Sequence, residues 1–438
     1  MPEHMDTVIE CRWIIPVQPE NIVLEHHAVG IRNGRIQALG PIADIRQRYS
    51  GAQRVELTDH VLIPGLVNLH THAAMSLMRG IADDLPLMDW LTKAIWPRES
   101  KFVSHAFVRD GTLLAAAEML RGGITCFNDM YFFPGAAAEI ADEVGIRAAI
   151  GLIVIEFPSP YAPDAESYLA RGMSVRDVWR DHPLVSFCIA PHAPYTISDA
   201  TFLRVLTLAD QLEVPIHTHI HETSSEIAES IERHGMRPLQ RLSQLGVLGP
   251  NFIGVHAVHL DTEDVANLAR HNCSIAHCPT SNLKLASGVA PVTSLQSANI
   301  CVGLGTDGAA SNNRLDMLQE MRHAALLAKG AANDATLLDA HAVLRMATLN
   351  GAKALGLDQH IGSIACGKAA DLCAIALSDP LLRPCFNPVS HLVYVAGRND
   401  VSHVWVNGCL KVKNQRLLQI NNSELRQRID LWENQLSA

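Results

Sequence analysis

No run of the 438-residue sequence is rich in lysine or arginine, and the formal net charge is −10. Phosphate recognition needs a clustered basic footprint, so nucleic acid and anionic membrane are excluded as partners. An uninterrupted apolar run of bilayer length is also missing, because charges break the alanine-rich stretches within a few turns. The opening MPEHMDTVIECRW has no basic segment leading into an apolar one, so no secretory signal is expected there. None of the ten cysteines stands in a CxxC pair. A chain of this size needs no disulfide staples, and reduced thiols in a cytoplasmic protein are expected. Low-complexity linkers and fixed-period repeats are absent as well.

What is present is an ordinary globular composition, 48% hydrophobic and 18% charged, long enough for a large barrel and an accessory domain. Eight β-branched or apolar runs end in polar residues: 60–72, 123–130, 145–155, 184–196, 214–223, 251–260, 273–282 and 300–313. Amphipathic stretches of helical length, such as 105–123 and 199–213, separate most of them. Alternating strand and helix implies a parallel sheet, and eight such units imply an α/β fold of the closed (β/α)8 TIM-barrel type. The ends differ. Residues 6–59 and 362–418 show short alternating segments, with hairpin signals at Asn33-Gly34 and Asn407-Gly408. We expect residues 1–61 and 362–438 to form a composite β-sandwich ending in a helix, and residues 62–361 to form the barrel.

The polar residues cluster where a barrel builds its active site, at the C-terminal ends of its strands. His70 and His72 end the first run, two residues apart and so on one side of the strand. The fifth run supplies His217, His219 and His221, followed by Glu222. Parity does not choose among the three histidines. His219 is favoured as a ligand because Glu222 lies three residues on, where the chain leaves the strand and can bend a carboxylate over the metal. His217 is assigned to hydrogen bonding, and His221 is left open. The sixth run carries His256 and the eighth Asp307, a carboxylate with no lysine or arginine in its own segment. A buried carboxylate of that kind needs a cation. Three imidazoles and one carboxylate leave an open position on zinc, the arrangement of a catalytic site. Metal-bound water ionises near neutral pH. Asp307 can take its proton, Glu222 can shuttle that proton to a substrate ring nitrogen, and His256 can orient the attacking oxygen.

These residues resemble the amidohydrolase superfamily: PGLVNLHTH at 64–72, HxxE at 219–222, a sixth-strand His and a TDG aspartate. The fourth run ends APHAPY at 190–195, without the lysine that bridges two metals in binuclear members. The resemblance is therefore to the mononuclear deaminase branch, which implies one zinc per subunit, with iron as the other possibility, and a homo-oligomer. PHAPYT (191–196), HCPTSNLKLASGVAPV (277–292) and GLGTDGAASNN (303–313) are similar to deaminases of 5-methylthioadenosine and S-adenosylhomocysteine. That likeness implies a purine nucleoside substrate, with Trp90 as an aromatic wall, Glu99 on the ribose hydroxyls and His192 against the purine. A carboxylate accepting two hydroxyls of a cis-diol makes strong charge-assisted bonds. A homocysteine tail would want an arginine for its carboxylate, and Arg171 is the first to follow the third run. Two alternatives stand beside this expectation. One is a triazine- or guanine-type amino- or chlorohydrolase on the same site. The other is a non-catalytic interaction protein, disfavoured because all four ligands and Glu222 are present.

Overall fold

The computed structural model describes residues 3–437. Eight parallel strands form the central barrel: β5 (Leu66–Thr71), β6 (Ile124–Tyr131), β7 (Arg147–Val154), β8 (Val185–Pro191), β9 (Ile216–Ile220), β10 (Phe252–His256), β11 (Ser274–His277) and β12 (Cys301–Leu304). They run β12-β11-β10-β9-β8-β7-β6-β5 in space. The barrel closes between β5 and the segment after β12. There Asn68 accepts from the Thr306 backbone N–H at 2.9 Å, and the Asp307 N–H donates to the His70 carbonyl at 3.0 Å. The closing contacts thus carry His70 and Asp307, two of the residues expected to bind metal.

The terminal segments supply the other sheet, of β1 (Glu3–Ile14), β2 (Leu24–Arg32), β3 (Arg35–Pro41), β4 (Tyr49–Pro64), β13 (Leu372–Ala376), β14 (Val401–Val406), β15 (Cys409–Lys413) and β16 (Arg416–Leu417). Its order, β16-β15-β14-β13-β4-β1-β2-β3, makes it one continuous sheet, with β4 joining the halves. Residues from both halves, including Ile9, Val29, Ile31, Leu372 and Trp405, share a single apolar core. Asn33 and Gly34 have φ of 52° and 74°, and Asn407 and Gly408 have 49° and 74°, the backbone that such hairpins require. The two turns touch: a Cβ on Gly34 would lie 2.7 Å from the Asn407 carbonyl oxygen.

The run at 60–72 is two strands. It divides at Gly65, where a Cβ would sit 2.0 Å from Thr125 Oγ1, so only glycine lets β4 hand over to the barrel. Helices at His105–Arg121 and Asp199–Leu212 occupy the expected stretches, capped by Ser104 and Ser198. The C-terminal helix, Asn422–Leu436, lies against the barrel, although chain order groups it with the terminal segments. Trp432 Nε1 donates to Asp110 at 2.9 Å, and its ring meets Phe107 edge-on. Among the described residues all ten cysteines are free, and no helix is long and apolar enough to cross a membrane.

Candidate active site

The last residues of the barrel strands converge at one end. His70 and His72 leave β5, and His219 sits on β9. Asp307 follows β12 in a left-handed backbone conformation, φ 60°. His70 Nε2 lies 3.3 Å from His219 Nε2 and 3.3 Å from Asp307 Oδ1, which is also 3.3 Å from His72 Nε2. Donors sharing one ion at about 2.0–2.1 Å stand roughly 3.3 Å apart, and these three separations fit that spacing.

Hydrogen bonds behind the cluster aim it. His72 Nδ1 donates to the Met130 carbonyl at 2.5 Å and His219 Nδ1 to the His192 carbonyl at 2.8 Å, leaving each Nε2 lone pair free for an ion. Asp307 Oδ2 accepts from Ser281 Oγ at 2.6 Å and Ser311 Oγ at 2.7 Å, and Oδ1 accepts from the Gly308 N–H at 2.8 Å. Burial holds His70 down at about 4, and His217 and His219 well below the ordinary histidine value. Burial pushes Asp307 up, but its bond to His70 and the neighbouring imidazoles outweigh that and keep it well below the usual carboxylate range. A buried carboxylate on which imidazole nitrogens converge would be satisfied by a divalent cation.

Glu222 and His256 stand beside this cluster, Oε2 to Nε2 at 3.7 Å. Burial raises the Glu222 carboxyl above the ordinary range. Ser287 Oγ donates to its Oε1 at 3.4 Å, and its backbone N–H donates to Glu226 at 2.9 Å. His256 Nδ1 donates to Asn282 Oδ1 at 2.8 Å, which turns Nε2 toward the pocket. His256 and Ala257 have φ of 72° and 49°. Such non-glycine residues cost about 1–3 kcal/mol each and gather at functional sites.

Trp90, Glu99, His192, His219, Glu222, His256 and Asp307 all line one pocket. Trp90 and Glu99 come from helical segments, Trp90–Ile95 and Trp96–Phe102, that cover the mouth. Burial raises Glu99, whose Oε1 accepts from Tyr131 Oη at 2.7 Å. His192 is held neutral by burial, down to about 3.

One expectation needs revision, and the residue left open is placed. Arg171 does not line the pocket. It lies on the helix Ala165–Trp179, where its guanidinium donates to the Tyr161 carbonyl and faces the Tyr161 ring. His221 does not join the face of His217 and His219. The strand stops at Ile220, and φ of 52° at His221 turns its ring away to meet the Leu239 N–H and Asp264. Sequence reasoning also passed over Tyr131, Ser281, Asn282 and Ser311. Ser281 and Asn282 lay inside the quoted TSNLKL, where hydroxyl and amide beside a strand end were the available signal. Lys284, in the same stretch, bonds Asp83 at 2.5 Å, Asn313 Oδ1 at 2.6 Å and the Ala310 carbonyl at 3.2 Å.

The model of the amidohydrolase family matches residues 61–410. A protein of Saccharophagus degradans named 5-methylthioadenosine/S-adenosylhomocysteine deaminase is 44% identical over 433 residues, 99% of this chain and 97% of its own. Among solved structures, an adenosine deaminase from Xanthomonas campestris with bound zinc superposes with a TM-score of 0.99 at 47% identity, covering all of both chains. A zinc-complexed atrazine chlorohydrolase from Arthrobacter aurescens shares the fold, with a TM-score of 0.90 at 24% identity over 98% of this chain and 100% of that one.

Proposed function

The chain belongs to the amidohydrolase family, and from that premise we propose that it is a zinc-dependent hydrolase that deaminates adenine nucleosides at C6. Its substrates would be 5′-methylthioadenosine, S-adenosylhomocysteine and adenosine, each giving the inosine analogue and ammonia. One observation carries the proposal: His72, His219 and Asp307 of the donor set, a buried acid at Glu222 and the Glu99 carboxylate all line one pocket. The relatives' printed names, and the zinc in the Xanthomonas campestris structure, point the same way.

His70, His72, His219 and Asp307 would hold the zinc. When bound, it supplies a water acidic enough to act as a nucleophile near neutral pH. Asp307 takes a proton from the attacking water, and Glu222 carries a proton to N1 of the purine. That transfer draws electrons from the C6 ring bond as the C–O bond forms. The added hydroxyl then gives its remaining hydrogen to Glu222, the proton held by Asp307 passes to the amino group, and the C–N bond breaks to release ammonia, so water adds and ammonia departs with no other reactant. His256, fixed by Asn282, orients the attacking oxygen. Trp90 and His192 bound the base, and Glu99, steadied by Tyr131, accepts the two ribose hydroxyls.

With Arg171 turned away, the carboxylate of a homocysteine tail needs another partner. Past Trp96, Phe157 and Tyr195 the pocket adjoins an outer hollow, where Arg233 is held by Glu229. We assign the tail to that hollow. Assembly into a homo-oligomer and a cytoplasmic location belong to the same proposal.

The test is Glu99→Gln. It should lower kcat/KM for adenosine and methylthioadenosine by tenfold or more, since one charge-assisted bond is worth about 1.5–3 kcal/mol. An unchanged value would remove the ribose from the proposal and favour a ribose-free substrate such as a triazine or guanine.

A further inference from the structure

The three imidazoles of the ligand set are not oriented alike. His72 and His219 give Nδ1 to main-chain carbonyls, which no substitution can remove. His70 Nδ1 instead meets a side chain, the Nε2 of His217, at 3.0 Å, with both rings fully buried. His217 lies two residues before His219 on β9 and faces the same side of the strand. It contacts His70 on the side away from the ligand cluster, so it is not itself a ligand. The far nitrogen of His217 lies 3.3 Å from Asn128 Nδ2, an amide donor that also bonds the Leu69 carbonyl, and 4.0 Å from Cys188 Sγ, which can accept a hydrogen bond.

We propose that His217 is a positioning residue for the metal centre, which accepts the Nδ1 hydrogen of His70 and so fixes the ring and tautomer that turn Nε2 toward the ion. An imidazole ligates through a nitrogen that bears no hydrogen, so His70 must carry its hydrogen on Nδ1. His217 Nε2 is the acceptor in place for it, and His217 keeps its own hydrogen on Nδ1. Hydrogen-bond partners behind a metal ligand raise its basicity and restrict its rotation, and losing one weakens metal binding by about 10–100-fold.

The experiment measures zinc affinity by chelator competition, and cobalt(II) visible absorption, on the full chain with His217→Leu and His217→Gln. Leucine fills space without accepting, whereas the glutamine carbonyl reaches about as far as Nε2 and can take the same hydrogen. We expect His217→Leu to bind zinc roughly 10–100-fold more weakly and to show an altered cobalt spectrum. His217→Gln should stay within about threefold of the parent, since the acceptor is kept. Equal affinity in parent and leucine variant overturns the proposal, as does an equal loss in both variants, which would mark a packing role. If the leucine variant does not fold, His217→Met fills the same volume flexibly and replaces it. The inference rests on the zinc-site proposal, but the two fail separately. A parent that binds no zinc defeats the site, whereas a leucine variant that binds it normally defeats only the role of His217.

Discussion

Glutamine at position 222 isolates the proton-transfer step. Glu222 is 7% exposed, and its carboxyl, raised by burial, stands 3.7 Å from His256 and accepts weakly from Ser287. It is not one of the four residues proposed to hold the zinc, His70, His72, His219 and Asp307. Glutamine has the same shape, can still accept from Ser287 and keeps the backbone bond to Glu226, but it cannot take up or release a proton. A positioned general acid–base contributes about 10²–10⁴-fold. At 1.36 kcal/mol per decade, that is about 2.7–5.4 kcal/mol of barrier. Glu222→Gln should therefore lose at least 99% of kcat, on the order of the lower bound above, while zinc per chain is unchanged and KM moves little. Ammonia release at saturating nucleoside, with metal analysis of the same sample, measures both. A kcat within tenfold of the parent at full zinc would refute the assigned role. Activity lost in proportion to zinc would show Glu222 to be a ligand, which refutes it equally.

Other sites give independent outcomes. Glu320 is buried, and desolvation raises it to about 7, so its folded value exceeds its unfolded one. Its contribution to stability is complete below the unfolded value and is lost as pH rises through about 7. Thermal unfolding at saturating zinc should show stability falling between the ordinary carboxyl value of 4.5 and about 7, by roughly 3 kcal/mol, and levelling off above that. Glu320→Gln should flatten that slope, and an unchanged slope would assign it to another group. Lys284→Met should free the segment that leads to Trp90 and Glu99, because Asp83 lies in it. For a partly exposed pair worth about 0–1 kcal/mol, KM should rise roughly two- to fivefold at constant zinc content. A lower kcat with unchanged KM would place the effect at Asp307 and its loop.

The convergence of the site residues at one barrel end was legible because strand parity and the polarity of barrel strand ends are sequence properties. His70 and His72 needed only the period of two, and Asp307 only its lack of a neighbouring cation. His221 was not legible, since a left-handed residue just past the strand breaks the parity, and nothing in HTHIHE announces that turn. Arg171 was misjudged because helix register decides which way a side chain faces, and Asp164 caps a helix that turns it toward Tyr161. Tyr131 meets Glu99 across 32 positions, a contact set by the folded chain alone. The 60–72 run concealed a boundary whose signal, the Pro64-Gly65 pair, stands inside an otherwise unbroken apolar stretch. What separates the two strands is the side chain of Thr125 pressing on that glycine.

The account stands most directly on ammonia release by the zinc-loaded protein from methylthioadenosine, S-adenosylhomocysteine, adenosine, guanine, cytosine and an amino-triazine. It predicts turnover of the adenine nucleosides well above the free bases and the triazine. Silence on all three nucleosides, with turnover of a base or the triazine, would contradict it.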